Sequence, residues 1–336
     1  MTVPAGGETP AGGAGGGLGL FRFTTEARAA PGLFVVGWLA TLLGLIGVAV
    51  GIFGGPRLAG PAFFVAGAAS LTVGLCGLAG SQAIERRAAG LIGYRGPSPV
   101  LIFLAWLPAS YVAWVAIGVP LELAGIRPGQ LATELLFLVV QSAIALGLVR
   151  LLVVGPGALT WPEIGYRRGA ARALMDVAWG ALLAGPAILV TAIVATVLLK
   201  VVGVAPESPL PPTGTAGGLA VHLLAGAVIA PVAEETIFRG VAVTAWRTAF
   251  GSRSAVVGSA VLFAAAHVLF VGGDSFGAAV AAAAVGFLGR LPIALFLGWT
   301  FVPRGSIWAP IGLHAAFNGV LITAAELLAG VDPGFG

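Results

Sequence analysis

Long apolar runs separated by short charged or Gly/Pro-rich stretches set the pattern of this chain. Runs of roughly 20 residues or more, the length a helix needs to cross a hydrocarbon core, occupy 32–54, 61–83, 98–121, 131–155, 174–203, 218–241, 254–272, 277–302 and 307–329. The runs are continuous rather than alternating, which excludes a closed barrel. The pattern predicts an all-α, polytopic helical membrane protein with about nine transmembrane helices.

Composition strengthens that reading and removes a rival. Hydrophobic residues make up 58% of the chain and charged residues 9%, with a mean hydropathy of +1.04, far from a soluble domain. The net charge of +4 and a pI near 10.0 do not point to nucleic acid, because the basic residues lie between apolar runs and not on one face. If nine spans alternate, Arg22, Arg28, Arg86, Arg87, Arg95, Arg150, Arg167, Arg168, Arg172, Arg239, Arg247, Arg253 and Arg304 share one side. Arg57, Arg127 and Lys200 fall on the other. The positive-inside rule then predicts a multi-pass protein of the cell membrane with a cytoplasmic N-terminus and Val331 to Gly336 outside.

Three regions are expected. Residues 1–30 are dominated by small residues and read as a disordered tail. Residues 31–160 read as an accessory four-helix membrane region with almost no ionisable residues at its span centres. Its glycines Gly44, Gly47, Gly51 and Gly54 serve close helix packing. The basic loop from Trp161 to Arg172 bounds a working region at 170–330, and the Pro-rich stretch from Ala205 to Pro212 reads as an external loop. The lone Cys76 has no partner for a disulfide or a zinc cluster and is expected to serve packing.

Ionisable groups inside apolar runs are costly, and the second half of the chain holds several. Glu234 and Glu235 are adjacent, and Arg239 follows four residues after Glu235. On a helix Glu235 and Arg239 share a face, so they are expected to form a clamp. Glu234 is rotated by about 100° and is free to act as a general base. His267 follows Phe263 by one helical turn, and Asn318 follows His314 by one turn, so each pair also occupies one face. His222 lies twelve residues before Glu234, about 18 Å along a helix, and is assigned to packing or the interface.

These residues resemble the motifs of the CPBP family, the CaaX protease and bacteriocin-processing (Abi) membrane proteins. The run Glu234-Glu235-Thr236-Ile237-Phe238-Arg239-Gly240 is similar to the first motif. Ser259 through Phe263 to His267 is similar to the second, and Gly305-Ser306-Ile307-Trp308-Ala309-Pro310 leading to His314 and Asn318 to the third. The resemblance covers roughly residues 218–320 and implies a glutamate-dependent intramembrane endopeptidase. By position, Glu234 would activate water with help from His267, and His314 with Asn318 would stabilise the oxyanion. Glu235 and Arg239 would support the site. The resemblance implies a peptide or protein substrate at the membrane and requires no cofactor or metal. The substrate class stays open among prenylated CaaX proteins, leader peptides and membrane-protein tails.

Alternatives remain at this point. A zinc peptidase could use Glu234, His267 and His314 as ligands, although the chain has no His-Glu-x-x-His motif. A non-catalytic transporter or immunity protein could keep the polar cluster for binding or proton relay. Arg290 departs from the family pattern. As a mid-span cation beside Pro292 it is a possible substrate contact, with Glu326, Asp274 or a substrate carboxylate as partner, unless it snorkels to the interface.

Overall fold

The computed structural model describes residues 28–54, 59–166, 169–204 and 210–330. Most of the N-terminal tail, Arg57, Arg167, Arg168, the first part of the Pro-rich loop and Val331 to Gly336 lie outside the described residues. Helices make up 83% of the described residues, with no strand among them.

The helices are α1 (Pro31–Phe53), α2 (Ala59–Ala88), α3 (Pro99–Leu123), α4 (Gln130–Val149), the short α5 (Trp161–Ile164), α6 (Ala170–Leu182), α7 (Ala184–Val202), α8 (Ala216–His222), α9 (Ala230–Glu235), α10 (Thr244–Ala266), α11 (Phe276–Arg304) and α12 (Trp308–Gly330). Three stretches wound as π-helix extend or join them: Arg150–Val154, Leu223–Ile229 and Thr236–Val243.

Eight helical stretches among the described residues are long and apolar enough to cross a membrane. The longest, Ala216–Ala266, has 51 residues. It would extend about 76 Å if straight, more than twice a hydrocarbon core. Gly251 resolves the excess. Its φ of 77° and ψ of 165° break the helix, in a region open to a residue without a Cβ. The leg beyond it turns back on the first, as the Ser259 hydroxyl bonds to the Phe238 carbonyl at 2.7 Å. The runs expected at 218–241 and 254–272 are therefore the two legs of one hinged segment.

Small residues set the closest helix contacts. A Cβ on Gly44 would lie 2.6 Å from Leu71, and one on Gly51 would lie 2.6 Å from Phe64, so α1 and α2 pair backbone to backbone as lipid-embedded helices do. Gly54 stands apart from that stripe and caps α1, its N–H on the Val50 carbonyl. α6 and α12 cross in the same way, with Gly180 against the Ala309 carbonyl and Gly312 against Val177.

The main buried cluster spans the boundary suggested by the sequence. Ile102, Phe103 and Trp106 of α3 and Leu148 and Val149 of α4 pack with Ile237, Phe238 and Phe263. The rings of Phe103 and Phe238 sit 5.9 Å apart. Cys76 is a free thiol packed on this cluster.

The α6/α12 crossing yields a test. Gly180→Val drives a branched side chain into backbone that has no freedom to move, and should destabilise the protein by more than about 3 kcal/mol. Gly185→Val, at a position with nothing within 4 Å, should be tolerated. Thermal unfolding of the detergent-solubilised variants reads the difference, and equal melting temperatures would refute the crossing.

Candidate active site

The site begins with an irregular helix. In a π-helical stretch a carbonyl accepts from the N–H five residues on, as the Ala230 N–H does with the Ala225 carbonyl. The next donor in that register is Pro231, which has no N–H. The Gly226 carbonyl is thereby orphaned, and the Asn318 amide nitrogen supplies the missing donor at 2.8 Å. After Pro231 the chain makes about one turn of ordinary helix, carrying Glu234 and Glu235, and then widens again at Thr236–Val243.

Glu235 and Arg239 have no solvent exposure. The guanidinium donates to Glu235 Oε1 at 3.0 Å and, through its other terminal nitrogen, to the Ala294 carbonyl of α11 at 3.0 Å. Its flat face lies 4.6 Å from the Phe263 ring centroid, a cation–π contact. His314 Nδ1 donates to the same Glu235 oxygen at 2.8 Å. The clamp expected from the i, i+4 spacing is present, and it holds a histidine that spacing alone does not reveal.

The two imidazoles are oriented alike. His267 Nδ1 faces the Phe263 carbonyl at 2.8 Å and therefore carries a proton, as does His314 Nδ1 against the Glu235 carboxylate. Each leaves Nε2 pointing towards Glu234, at 3.8 Å for His267 and 3.9 Å for His314. Glu234 Oε2 is buried and has no hydrogen bond within the protein. These gaps are too long for direct hydrogen bonds and fit one oxygen atom held between the three groups. Glu234 and His267 keep side-chain exposures of 18% and 24%, so the centre is reachable, whereas Glu235 behind it is sealed. Phe263 forms the wall, its ring 4.4 Å from that of His267 and 5.7 Å from that of His314.

The structure thus brings Glu234, His267 and His314 together with Glu235, Arg239 and Phe263 behind them. Asn318 is engaged one turn further along α12, on Gly226. Arg290 donates to the Gly286 carbonyl of its own helix at 3.0 Å, and its charge acts on both Glu234 and His267. Of its suggested partners, Glu326 is occupied elsewhere, and no ion pair joins Arg290 to Asp274 among the described residues. Glu326 accepts from the Thr213 and Gly214 N–H groups at 2.9 and 2.7 Å and meets His222 Nδ1 at 2.8 Å. His222 is accordingly a buried polar lock, its other nitrogen 3.5 Å from Glu134. Among the described residues no group of three or more His, Cys, Asp and Glu is arranged to hold a metal ion.

Sequence reasoning did not assign two supports. Thr236 Oγ1 donates to the Val232 carbonyl at 2.6 Å, so the Tyr166 hydroxyl, 2.7 Å away, must donate to it. Burial pushes the Tyr166 hydroxyl's pKa up, which keeps it protonated for that bond. The second is Ser259, a motif residue whose hydroxyl ties α10 to the Phe238 carbonyl. Its place on the His267 face, two turns earlier, was the available signal.

Two stability predictions follow from this accounting. Glu235→Gln leaves Arg239 buried without its counter-charge and should cost about 3–5 kcal/mol. Asn318→Ala leaves the Gly226 carbonyl unpaired and should cost about 1–3 kcal/mol. Thermal melts in detergent check both. An Asn318→Ala protein as stable as the wild type would show that the Gly226 bond contributes nothing.

Comparison with known proteins bears on the same segment. Residues 216–320 match the family model described as Type II CAAX prenyl endopeptidase Rce1-like. Neither curated proteins nor solved structures give a significant match. The matched residues run from the start of α8 past Asn318 and hold Glu234, Glu235, Arg239, His267, His314 and Asn318. Over that segment the chain is similar to the Rce1-like family, consistent with the CPBP resemblance of its motifs, and it lies within a multi-pass helical membrane protein.

Proposed function

We propose that this protein is an intramembrane endopeptidase of the glutamic type, cleaving a peptide bond near the membrane, with CaaX-type or leader-peptide processing as its task. The observation that carries the reading is Glu234 Oε2, buried and unpaired, facing two Nε2 atoms whose opposite nitrogens are fixed. A water between these groups loses a proton to Glu234 while His267 orients it, and the hydroxide attacks the peptide carbonyl carbon. The resulting oxyanion accepts hydrogen bonds from Nε2–H of His314 in its doubly protonated form and from the second N–H of the Asn318 amide. Glu234 then returns the proton to the departing amine. Donors fixed in a dry site contribute roughly 3–4 kcal/mol per strong oxyanion contact.

Residues 170–330 form the working region in this reading. Residues 31–160 serve as an accessory bundle, with α3 and α4 buttressing the wall behind Phe238. By the positive-inside distribution the N-terminus is cytoplasmic and the C-terminus outside, so Glu234 lies towards the cytoplasmic side and cytoplasmic tails are the substrates. Arg290, whose charge acts on the site, contacts a substrate carboxylate. No cofactor enters this mechanism.

Glu234→Gln should abolish cleavage, at least 1000-fold, in a protein that melts like the wild type. Comparison of membrane proteomes from cells carrying wild-type or Glu234→Gln protein supplies the substrate for the assay. Retention of the cellular effect by Glu234→Gln would favour a transport or immunity role, and loss of activity with tight chelators, restored by zinc, would favour a metallopeptidase. Arg290→Gln should raise KM about tenfold, with a smaller change in kcat, and Arg290→Lys should recover part of the loss. Equal KM in all three proteins would remove Arg290 from substrate binding.

A further inference from the structure

A second polar centre lies where α6 and α12 begin. The first turns of α6 and α12 line one cavity, where Asp176 of α6 holds Arg304 at the end of α11, and the two helices pack at Gly180 and Ala309. α6 and α12 therefore run parallel, with both N-termini at one end of the bundle. A cavity of about 210 Å³ opens there, lined by Gly169, Arg172, Asp176, Arg304, Ser306 and Trp308 among others.

Its chemistry is that of an anion receptor. α6 has 13 residues, starts after Gly169 at φ 115°, and has neither a side-chain cap nor an acidic residue in its first turn. Its leading N–H groups and dipole are thus uncompensated. Arg172 stands on the first turn and is exposed. Arg304 reaches the rim from α11, held by Asp176 at 2.6 Å and stacked 4.8 Å over the Trp179 ring. The one carboxylate in the lining is thereby neutralised, and Arg172 leaves a net positive charge. The independent observation is Ser306. It is 3% exposed, it lines the cavity, and its hydroxyl has no hydrogen-bond partner, although a buried hydroxyl is normally paired.

We propose that this cavity binds a phosphate group, taken from an anionic lipid headgroup. The uncapped N–H groups at the start of α6, the exposed Arg172 guanidinium and the unpaired Ser306 hydroxyl match the acceptor oxygens of a phosphate. The position supports a lipid source. Leu174 and Met175, one turn above Arg172 on the same helix, are 69% and 70% exposed, so the cavity sits where lipid-facing surface gives way to charge. The site is separate from the proteolytic centre, because His314 lies about 9 Å further along α12 from Trp308.

The test is thermal stabilisation of the detergent-solubilised full chain by three probes: phosphatidylglycerol, diacylglycerol, which lacks the phosphate, and inorganic phosphate. Phosphatidylglycerol should stabilise the wild type and the Glu234→Gln protein alike, and diacylglycerol should not. Half-saturation should weaken about tenfold in Ser306→Ala and in Arg172→Gln, with Arg172→Lys close to wild type. A response to inorganic phosphate alone, lost in the same variants, would uphold the phosphate site and overturn its lipid source. No response to either phosphate probe, or a response unchanged in both Ser306→Ala and Arg172→Gln, would overturn the site itself. Melting temperatures without probe identify any variant that fails to fold, and the remaining variant then decides.

Discussion

The buried pair between Glu235 and Arg239 is the interaction on which the rest of the site depends. Neither side chain touches solvent, and either one alone would be a bare charge in a medium that does not solvate it. Other groups share in the pair, although Glu235 Oε2 and Arg239 Nε stay buried without a hydrogen-bond partner. One oxygen of Glu235 also holds His314, and Arg239 also holds the Ala294 carbonyl and the face of Phe263. A single ion pair thus joins the Glu-bearing helix to α10, α11 and α12. Its consequence for chemistry is indirect and strict. With Nδ1 of His314 committed to Glu235, Nε2 has to face Glu234.

The irregular backbone around the glutamates has a comparable origin. Membrane helices tolerate proline only where a neighbour repairs the hydrogen-bond ladder. Here Pro231 removes the donor for Gly226, and the repair comes from Asn318, a residue of the third motif. The first and third motifs are therefore linked through backbone accounting as well as through the His314–Glu235 contact. Asn318 retains one N–H for other use, so a structural bond and a part in oxyanion binding are compatible.

What was legible in the sequence was whatever leaves a periodic or local trace. Hydropathy located the spans, and i, i+4 spacing located the Glu235–Arg239 clamp and the shared face of Phe263 and His267. The hinge at Gly251 could not be read that way, since one glycine among fifty-three carries no mark of its φ. Partners distant in the chain were equally silent. Glu326 was a candidate for Arg290 by charge alone, yet it satisfies His222 and the turn at Thr213–Gly214. The packing of α3 and α4 behind the site escaped because apolar contacts in lipid-soluble helices look the same wherever they point.

The polar contacts of α12 explain why its motif meets the first one at all. His314 pairs with Glu235, Asn318 with Gly226, and Glu326 with His222. As the α12 number rises, its partner's number falls, so the three contacts form an antiparallel register between α12 and the Ala216–Val243 rod. Apolar side chains alone would let two such helices slide, because one leucine facing lipid or protein is nearly as good as another. A slip of one turn would here strand a buried carboxylate, an orphaned carbonyl and a buried histidine together. The outer lock at His222 therefore serves the inner site at Glu234, fixing the depth at which His314 arrives without touching Glu234 or His314 itself.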